Sequence, residues 1–221
     1  MKPYIPNIEQ AEFGLFCEKE NLAITAEQAA PLRSYLELLL KWNAKINLTS
    51  ASNWKDAMRS LIADSFHLAD FIEQLEISGA PECWDLGAGG GLPGIPLRIL
   101  WQKGSYHLVE LREKRTLFLQ TALALLKLPA TFAHRADAGE FIEKQLHLKK
   151  PANLILSRAF MPWNELLPYV APYLAMEGTL LLLLRGEDFT EATPGWLITG
   201  QISYPSPSGP RQFVALQKKI P

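Results

Sequence analysis

Several things are scarce in this chain of 221 residues. It has two cysteines, Cys17 and Cys83, without metal-ligand spacing or a partner pattern. Neither a disulfide framework nor a zinc site is expected, and a reducing cytoplasm fits. No charge dominates: 22 Lys and Arg stand against 23 Asp and Glu, a formal net charge of -1. No global field draws the chain to nucleic acid, so any such contact has to rest on local patches. The longest leucine run, Leu180 to Leu184, is far too short to span a bilayer and reads as a buried central strand. The N-terminus lacks a basic stretch followed by an apolar core, so no secretory signal is expected. Internal repeats and long disordered stretches are absent as well. What is present is 48% hydrophobic residues, enough for one sizeable core plus an appendage.

Two parts emerge, divided near residue 78. Residues 1–78 read as helical. Thr25-Ala26-Glu27-Gln28 has capping-box spacing, although Pro31 predicts that the regular helix begins only there. Leu32, Leu36, Leu39 and Leu40 then form an apolar stripe. Asn53 with Asp56 starts another helix, whose inward face is expected to carry Met58, Leu61, Ile62, Phe66, Ala69 and Ile72. Residues 79–221 alternate strand and helix. The strands are predicted at 82–87, 105–110, 131–134, 153–157, 179–185, 198–203 and 212–218. Helices are predicted at 93–101, 112–127, 138–147 and 163–175. Such alternation argues for an α/β fold, a Rossmann-like and mostly parallel seven-stranded sheet covered on both faces. The proline-rich stretch 205–210 reads as a loop and not a helix, which makes the last strand antiparallel.

The most telling segment is Asp85-Leu86-Gly87-Ala88-Gly89-Gly90-Gly91-Leu92-Pro93-Gly94, with five glycines in ten residues. Between a strand and a helix, such a turn brings bare amides to a nucleotide-like ligand. Gly89-x-Gly91-x-x-Gly94 satisfies the dinucleotide fingerprint, but the register abutting the strand is Asp85-x-Gly87-x-Gly89-x-Gly91. A carboxylate at the strand end repels a pyrophosphate and suits a cationic cofactor. S-adenosylmethionine carries a sulfonium and an ammonium and no phosphate.

Glu110 ends the next strand about 20 residues further on, where an acid binds paired ribose hydroxyls. Asp137 ends the third strand, where a carboxylate accepts from an adenine amino group. Each acid has a competing structural role. Glu110 is placed to cap the helix near Arg112, and Asp137 to be a helix N-cap.

With these residues placed, the chain resembles the bacterial small-subunit ribosomal RNA guanine-N7 methyltransferases, the glucose-inhibited division protein B family. The resemblance runs over Lys41-Trp42-Asn43, Ile46-Asn47-Leu48-Thr49-Ser50, Asp64-Ser65 and the glycine block through Gly94-Ile95-Pro96-Leu97. It continues over Lys114-Arg115, Phe118-Leu119 and Ser157-Arg158-Ala159-Phe160. It implies a class I S-adenosylmethionine-dependent methyltransferase with N-terminal helices. It also implies cofactor contacts at Gly87, the backbone of Leu92, Ala136, Asp137 and Arg158, beside Asp85, Gly89, Gly91 and Glu110. Arg158 suits the cofactor carboxylate or an RNA phosphate, its competing role being a structural ion pair. Ser60, Arg185 and Gln212 depart from the family pattern, which usually has histidine, lysine and histidine there, and are expected on the acceptor side.

The implied acceptor is guanine N7, whose lone pair needs no general base, so no catalytic acid or base and no metal ligand is assigned. The sequence also shows no convincing pairing of histidine with an acid. Candidate RNA contacts are Arg59, Arg115, Arg185 and Arg211, beside Lys41, Lys45, Arg112 and Lys114. Tyr4, Trp42, Phe160 and Trp163 are candidates to stack on a base, though aromatics more often fill cores. The expected partner is small-subunit rRNA or its precursor particle, with no membrane, a cytoplasmic setting and a monomeric protein. The rivals are a same-fold methyltransferase with another acceptor, a non-catalytic RNA-binding assembly factor, and, least favoured, an NAD dehydrogenase.

Overall fold

The computed structural model describes residues 7–75, 77, 79–148, 150–186, 189, 193–207 and 209–219. Helix α1 (Gln10–Lys19) leads into α2 (Ala26–Ile46). The Thr25 hydroxyl accepts the Gln28 amide, and the Gln28 side chain accepts the Thr25 amide. This box starts α2 at Ala26 and not at Pro31. Pro31 lies inside the helix, where it forfeits a single bond near the start.

Asn53 caps α3 (Trp54–Ala57) by accepting the Asp56 amide. A π-helical turn, Met58–Ile62, then passes into α4 (Ala63–Gln74). A π turn holds an extra residue, so the buried face rotates as it passes. Met58, Ile62 and Ile72 are buried as expected, and Leu61, Phe66 and Ala69 pack half-buried against the core, but Asp64, Ser65, Leu68 and Phe71 are also on the inner face.

The second part is a three-layer sandwich. Its strands are β1 (Glu82–Leu86), β2 (Ser105–Glu110), β3 (Thr131–Arg135), β4 (Ala152–Ser157), β5 (Leu174–Arg185), β6 (Trp196–Tyr204) and β7 (Arg211–Lys218). They lie in the order β3-β2-β1-β4-β5-β7-β6. Pairing is parallel from β3 to β5, and β7 runs antiparallel to both β5 and β6. Helices α5 (Gly94–Leu100), α6 (Glu113–Leu126), α7 (Ala138–His147) and α8 (Trp163–Val170) connect them. The helix expected over 163–175 stops at Val170. Pro172 sits in the 3-10 turn Ala171–Tyr173 that follows, and β5 begins directly after it.

Neighbouring residues along each strand face opposite cores. Cys83, Leu108, Leu154, Leu181 and Phe213 join a core made with α1, α2, α4, α5 and α6, so one apolar cluster runs across residue 78. Trp84, Val109, Ile155, Leu182 and Val214 pack with α7 and α8 on the other face. This arrangement leaves the C-terminal ends of β1, β2, β3 and β4 as one open edge, where such sheets bind ligands. Among the described residues no helix is long and apolar enough to cross a membrane.

Candidate functional site

The glycine turn is tied mainly to the neighbouring strand β2. The amides of Gly87 and Ala88 both donate to the Val109 carbonyl, at 2.9 and 3.0 Å. The Gly89 amide donates to Glu110 Oε2 at 3.0 Å, and the Gly91 amide to the Ala88 carbonyl at 2.8 Å. Two glycines are required by space as well as by conformation. Gly87 has φ +75°, and a Cβ there would lie 2.8 Å from the Phe160 ring; Gly91 has φ +72°, and its Cβ would lie 2.6 Å from Ile95. Tyr35 of α2 donates its hydroxyl to the Gly90 carbonyl.

Asp85 is 3% exposed and belongs to the wall beneath the turn. Its Oδ2 accepts the Tyr106 hydroxyl at 3.2 Å and lies against Gly94, the first residue of α5, so close that a Cβ on Gly94 would collide with it. Burial pushes its pKa up to about 7, opposed by the Tyr106 hydrogen bond and by Arg158. The acid expected to face a ligand is thus buried against Tyr106 and Gly94 instead.

Beside the turn, a cavity of about 270 Å³ is lined by Gly87, Val109, Glu110, Leu111, Arg112, Arg115, Ala136, Asp137, Ala159 and Phe160 among others. Glu110 takes both parts foreseen for it. Its two oxygens accept the Gly89 and Arg112 amides, at 3.0 and 2.8 Å, and it lines the cavity, with further lone pairs on each oxygen. Asp137 caps α7 by accepting the Gly139 amide at 2.8 Å, and it too lines the cavity. Arg115 Nη1 stands 4.0 Å from Glu110 Oε2. Gly89, Gly91 and Leu92 build the turn and do not line this cavity.

A second cavity, about 430 Å³, opens at the ends of β4, β5 and β7. Its lining includes Asp64, Ser157, Arg158, Ala159, Met161, Trp163, Arg185, Arg211 and Phe213. Ala159 is the residue common to the two linings, and it has left-handed backbone at φ 53°. Arg158 Nη2 lies 3.1 Å from Asp64 Oδ2, so the foreseen ion pair is present, whereas its Nη1 is buried without a hydrogen-bond partner. Burial, Arg211 and Arg185 push the Arg158 pKa down, and Asp64 pulls it up.

The remaining candidates separate. Arg185 and Arg211 line the second cavity. Arg59 does not: both its Nε and its Nη2 reach Glu20 Oε1, at 3.0 and 2.8 Å, while its guanidinium lies over the Phe16 ring. Ser60 of the π turn donates to the Asp56 carbonyl of α3, Gln212 accepts the Phe189 amide, and neither lines the second cavity. Lys41, Lys45 and Lys114 are exposed on helix faces. Trp42 packs on Phe118, Phe160 lines the first cavity, Trp163 lines the second, and Tyr4 lies outside the described residues.

A histidine does pair with an acid, which sequence reading missed. His107 Nε2 is 2.6 Å from Glu82 Oε1, and its Nδ1 is 2.8 Å from His134 Nε2. Glu82 is the first residue of β1, at the end of the strand away from the open edge. Also missed were Leu111, which is 62% exposed on the first cavity's rim, and Asp64. The sole sequence signal for Asp64 was its place in the Asp-Ser pair of the resemblance. Among the described residues no three His, Cys, Asp or Glu converge to hold a metal ion.

Known proteins share both sequence and fold with this chain. The family model described as rRNA small subunit methyltransferase G matches residues 28–193. A ribosomal RNA small subunit methyltransferase G from Nitratidesulfovibrio vulgaris is 40% identical over 213 residues, covering 96% of each chain. One from Lawsonia intracellularis is 42% identical over 210 residues, covering 94% of each. Among solved structures, a putative O-methyltransferase from Klebsiella pneumoniae has a TM-score of 0.60 and 14% identity, covering 95% of this chain and 97% of that one. The putative methyltransferase yhhF from Escherichia coli has a TM-score of 0.51 and 17% identity, covering 72% and 86%. These two likenesses show the fold, a Rossmann-like methyltransferase sheet, in agreement with the strand order above. With a family match over most of its length and relatives alike from end to end, this chain belongs to the rRNA small subunit methyltransferase G family.

Proposed function

We propose that the chain transfers a methyl group from S-adenosylmethionine to N7 of a guanine in small-subunit ribosomal RNA. Family membership makes it an rRNA methyltransferase. The cofactor's place, the acceptor atom and the residue roles are our reading.

One observation carries the choice of cofactor. Four amides of the glycine turn are engaged within the protein, and the buried Asp85 carboxylate lies against Gly94, the first residue of α5. A diphosphate needs those amides and that helix end. A nucleoside without phosphate needs only the cavity beside them. The residues fit such a cofactor: Glu110 has lone pairs for ribose hydroxyls, Asp137 an acceptor for the adenine amino group, and Leu111, Ala136 and Phe160 apolar surface for the ring. Arg158 lines the second cavity, next to the shared Ala159, and its Nη1, buried without a partner, suits the carboxylate of an amino-acid end that extends past Ala159. Gly87 keeps the wall clear, Gly89, Gly91 and Leu92 shape the turn, and Asp85 supports it from beneath.

Bound there, S-adenosylmethionine supplies a methyl on a sulfonium, open to direct displacement. The second cavity, which shares Ala159 with the first, takes the acceptor nucleotide, with Arg185 and Arg211 for phosphate and Trp163 for the base. Guanine N7 already carries its lone pair, so these residues have only to align acceptor and donor. Because the protein as a whole has a net charge of -1, contact with RNA falls to these arginines, with Arg115 nearer the first cavity. Recognition of a precursor particle in the cytoplasm, with ribosomal structure adding to sequence, fits that weak overall field.

The test is methyl transfer from labelled cofactor to naked small-subunit RNA, precursor particles and mature subunits, followed by mapping of the modified base. Label at guanine N7, fastest on the precursor, is expected; absence of label from rRNA sinks the reading. A second acceptor is favoured by one observation, Arg185 on the cavity wall, and label on another base or atom would establish it.

A further inference from the structure

Asp64 is 2% exposed and stands at the start of α4, where the π turn has rotated it inward. Its Oδ1 accepts the Tyr204 hydroxyl at 2.9 Å and lies 3.8 Å from Arg211 Nε; its Oδ2 lies 3.1 Å from Arg158 Nη2. One carboxylate thus meets the end of β4, the end of β6 and the start of β7. It lines the 430 Å³ cavity together with three arginines, Arg158, Arg185 and Arg211. On its other side it lines a smaller cavity, about 160 Å³, with Arg59, His67 and Tyr204.

Such a cluster is poorly explained as a structural tie. Buried ion pairs stabilise little more than apolar packing would. Three like charges around one cavity repel one another. This pair also leaves Arg158 Nη1 buried and without a partner, which costs stability unless a ligand meets it.

We propose that Asp64 is a positioning residue for methyl transfer, which grips Arg158 by Nη2 so that Nη1 faces the carboxylate of the cofactor's amino-acid end. Its other oxygen, Oδ1, lies 3.8 Å from Arg211 Nε, so the same carboxylate also orients Arg211 on the cavity wall. This proposal rests on the reading of the first cavity as the cofactor site. Asp64 touches neither cofactor nor acceptor and acts through the two arginines.

Calorimetry with two ligands tests it. S-adenosylhomocysteine carries the amino-acid carboxylate; 5′-methylthioadenosine has the same adenosine thioether without it. In the full chain, Asp64→Asn is expected to weaken S-adenosylhomocysteine about tenfold and methylthioadenosine less than about twofold. Combined with Arg158→Gln, it should add less than about threefold to the loss from Arg158→Gln alone, because the two residues act as one unit. Should Asp64→Asn fail to fold, Asp64→Glu decides by the same selective loss. Equal weakening of both ligands, or additive losses in the double variant, overturns the proposal while the functional reading stands. Wild-type protein that binds neither ligand overturns the functional reading and this proposal with it.

Discussion

The Tyr35 hydroxyl donates to the Gly90 carbonyl at 2.6 Å, tying the middle of α2 to the centre of the glycine turn. Tyr35 is wholly buried, and Leu39 of the same helix and Leu48 beyond it stand behind Gly90. The helical segment therefore sets the height of the turn over the sheet. Tyr35→Phe keeps the ring and removes one neutral hydrogen bond, a loss of about 1 kcal/mol. A melting temperature lower by about 2–4 °C is expected. Cofactor binding should weaken by about threefold to fivefold in the same protein. Unchanged affinity on calorimetry would mean that α2 has no hold on the cofactor side.

Gly87 sets a second expectation. Alanine at φ +75° costs about 1–2 kcal/mol, and its Cβ would also push against the Phe160 ring, 2.8 Å away. Gly87→Ala is expected to weaken cofactor binding about tenfold or more, and adding Phe160→Leu should recover part of the loss. A double variant no better than the single would show that backbone strain alone is responsible.

Arg98 concerns stability rather than chemistry. It is fully buried without a carboxylate partner among the bonds described. Its guanidinium donates to the carbonyls of Trp101, Gln102, Lys103, Gly104 and Pro129 and to the Thr131 hydroxyl. The rings of Trp101 and Tyr106 lie 5.8 and 5.5 Å from it. Arg98→Met would strand those oxygens and lower stability by about 3–5 kcal/mol, or about 10 °C in melting temperature. Arg98→Lys is expected to rescue little, since three donors cannot replace a planar fork. Thermal unfolding of both variants decides.

Two buried groups make opposite pH dependences. Asp85, raised to about 7, binds its proton more readily folded than unfolded, so its contribution is present in acid and lost as pH rises from about 4 through 7. His134 is pushed down to about 4 by burial and by His107, so its contribution is present above about 6.5 and lost as pH falls toward 4. Asp85→Asn should therefore gain stability relative to wild type as pH rises, and His134→Gln should gain as pH falls. Denaturant midpoints at pH 4.5, 6 and 8 would show either slope. Parallel curves for a variant and wild type would remove that group from the balance.

Much of this was legible in advance because periodicity and turn chemistry are local. The strand and helix positions, the capping box at Thr25 and the antiparallel β7 all follow from residues near one another in the chain. What was hidden depends on direction. Nothing in the spacing of Asp85 says that its carboxyl turns under Gly94, since that follows from Tyr106 one strand away. The inward turn of Asp64 comes from the π turn, and the helical period assumed for that face is the one that the π turn breaks. Arg59 read as a free cation because Glu20 lies 39 residues earlier. The engaged amides of the glycine turn were invisible because their acceptors, Val109 and Glu110, belong to the neighbouring strand.

Ala159 carries a consequence of its own. It is the residue shared by the two cavity linings, its backbone is left-handed, and its side chain is a single methyl. Groups bound in the two chambers would lie on either side of that one methyl. A β-branched residue would crowd both linings and resist that backbone conformation, while glycine would loosen the chain between Arg158 and Phe160. The smallest chiral side chain therefore takes the least room from either chamber and still restrains the direction of its two neighbours.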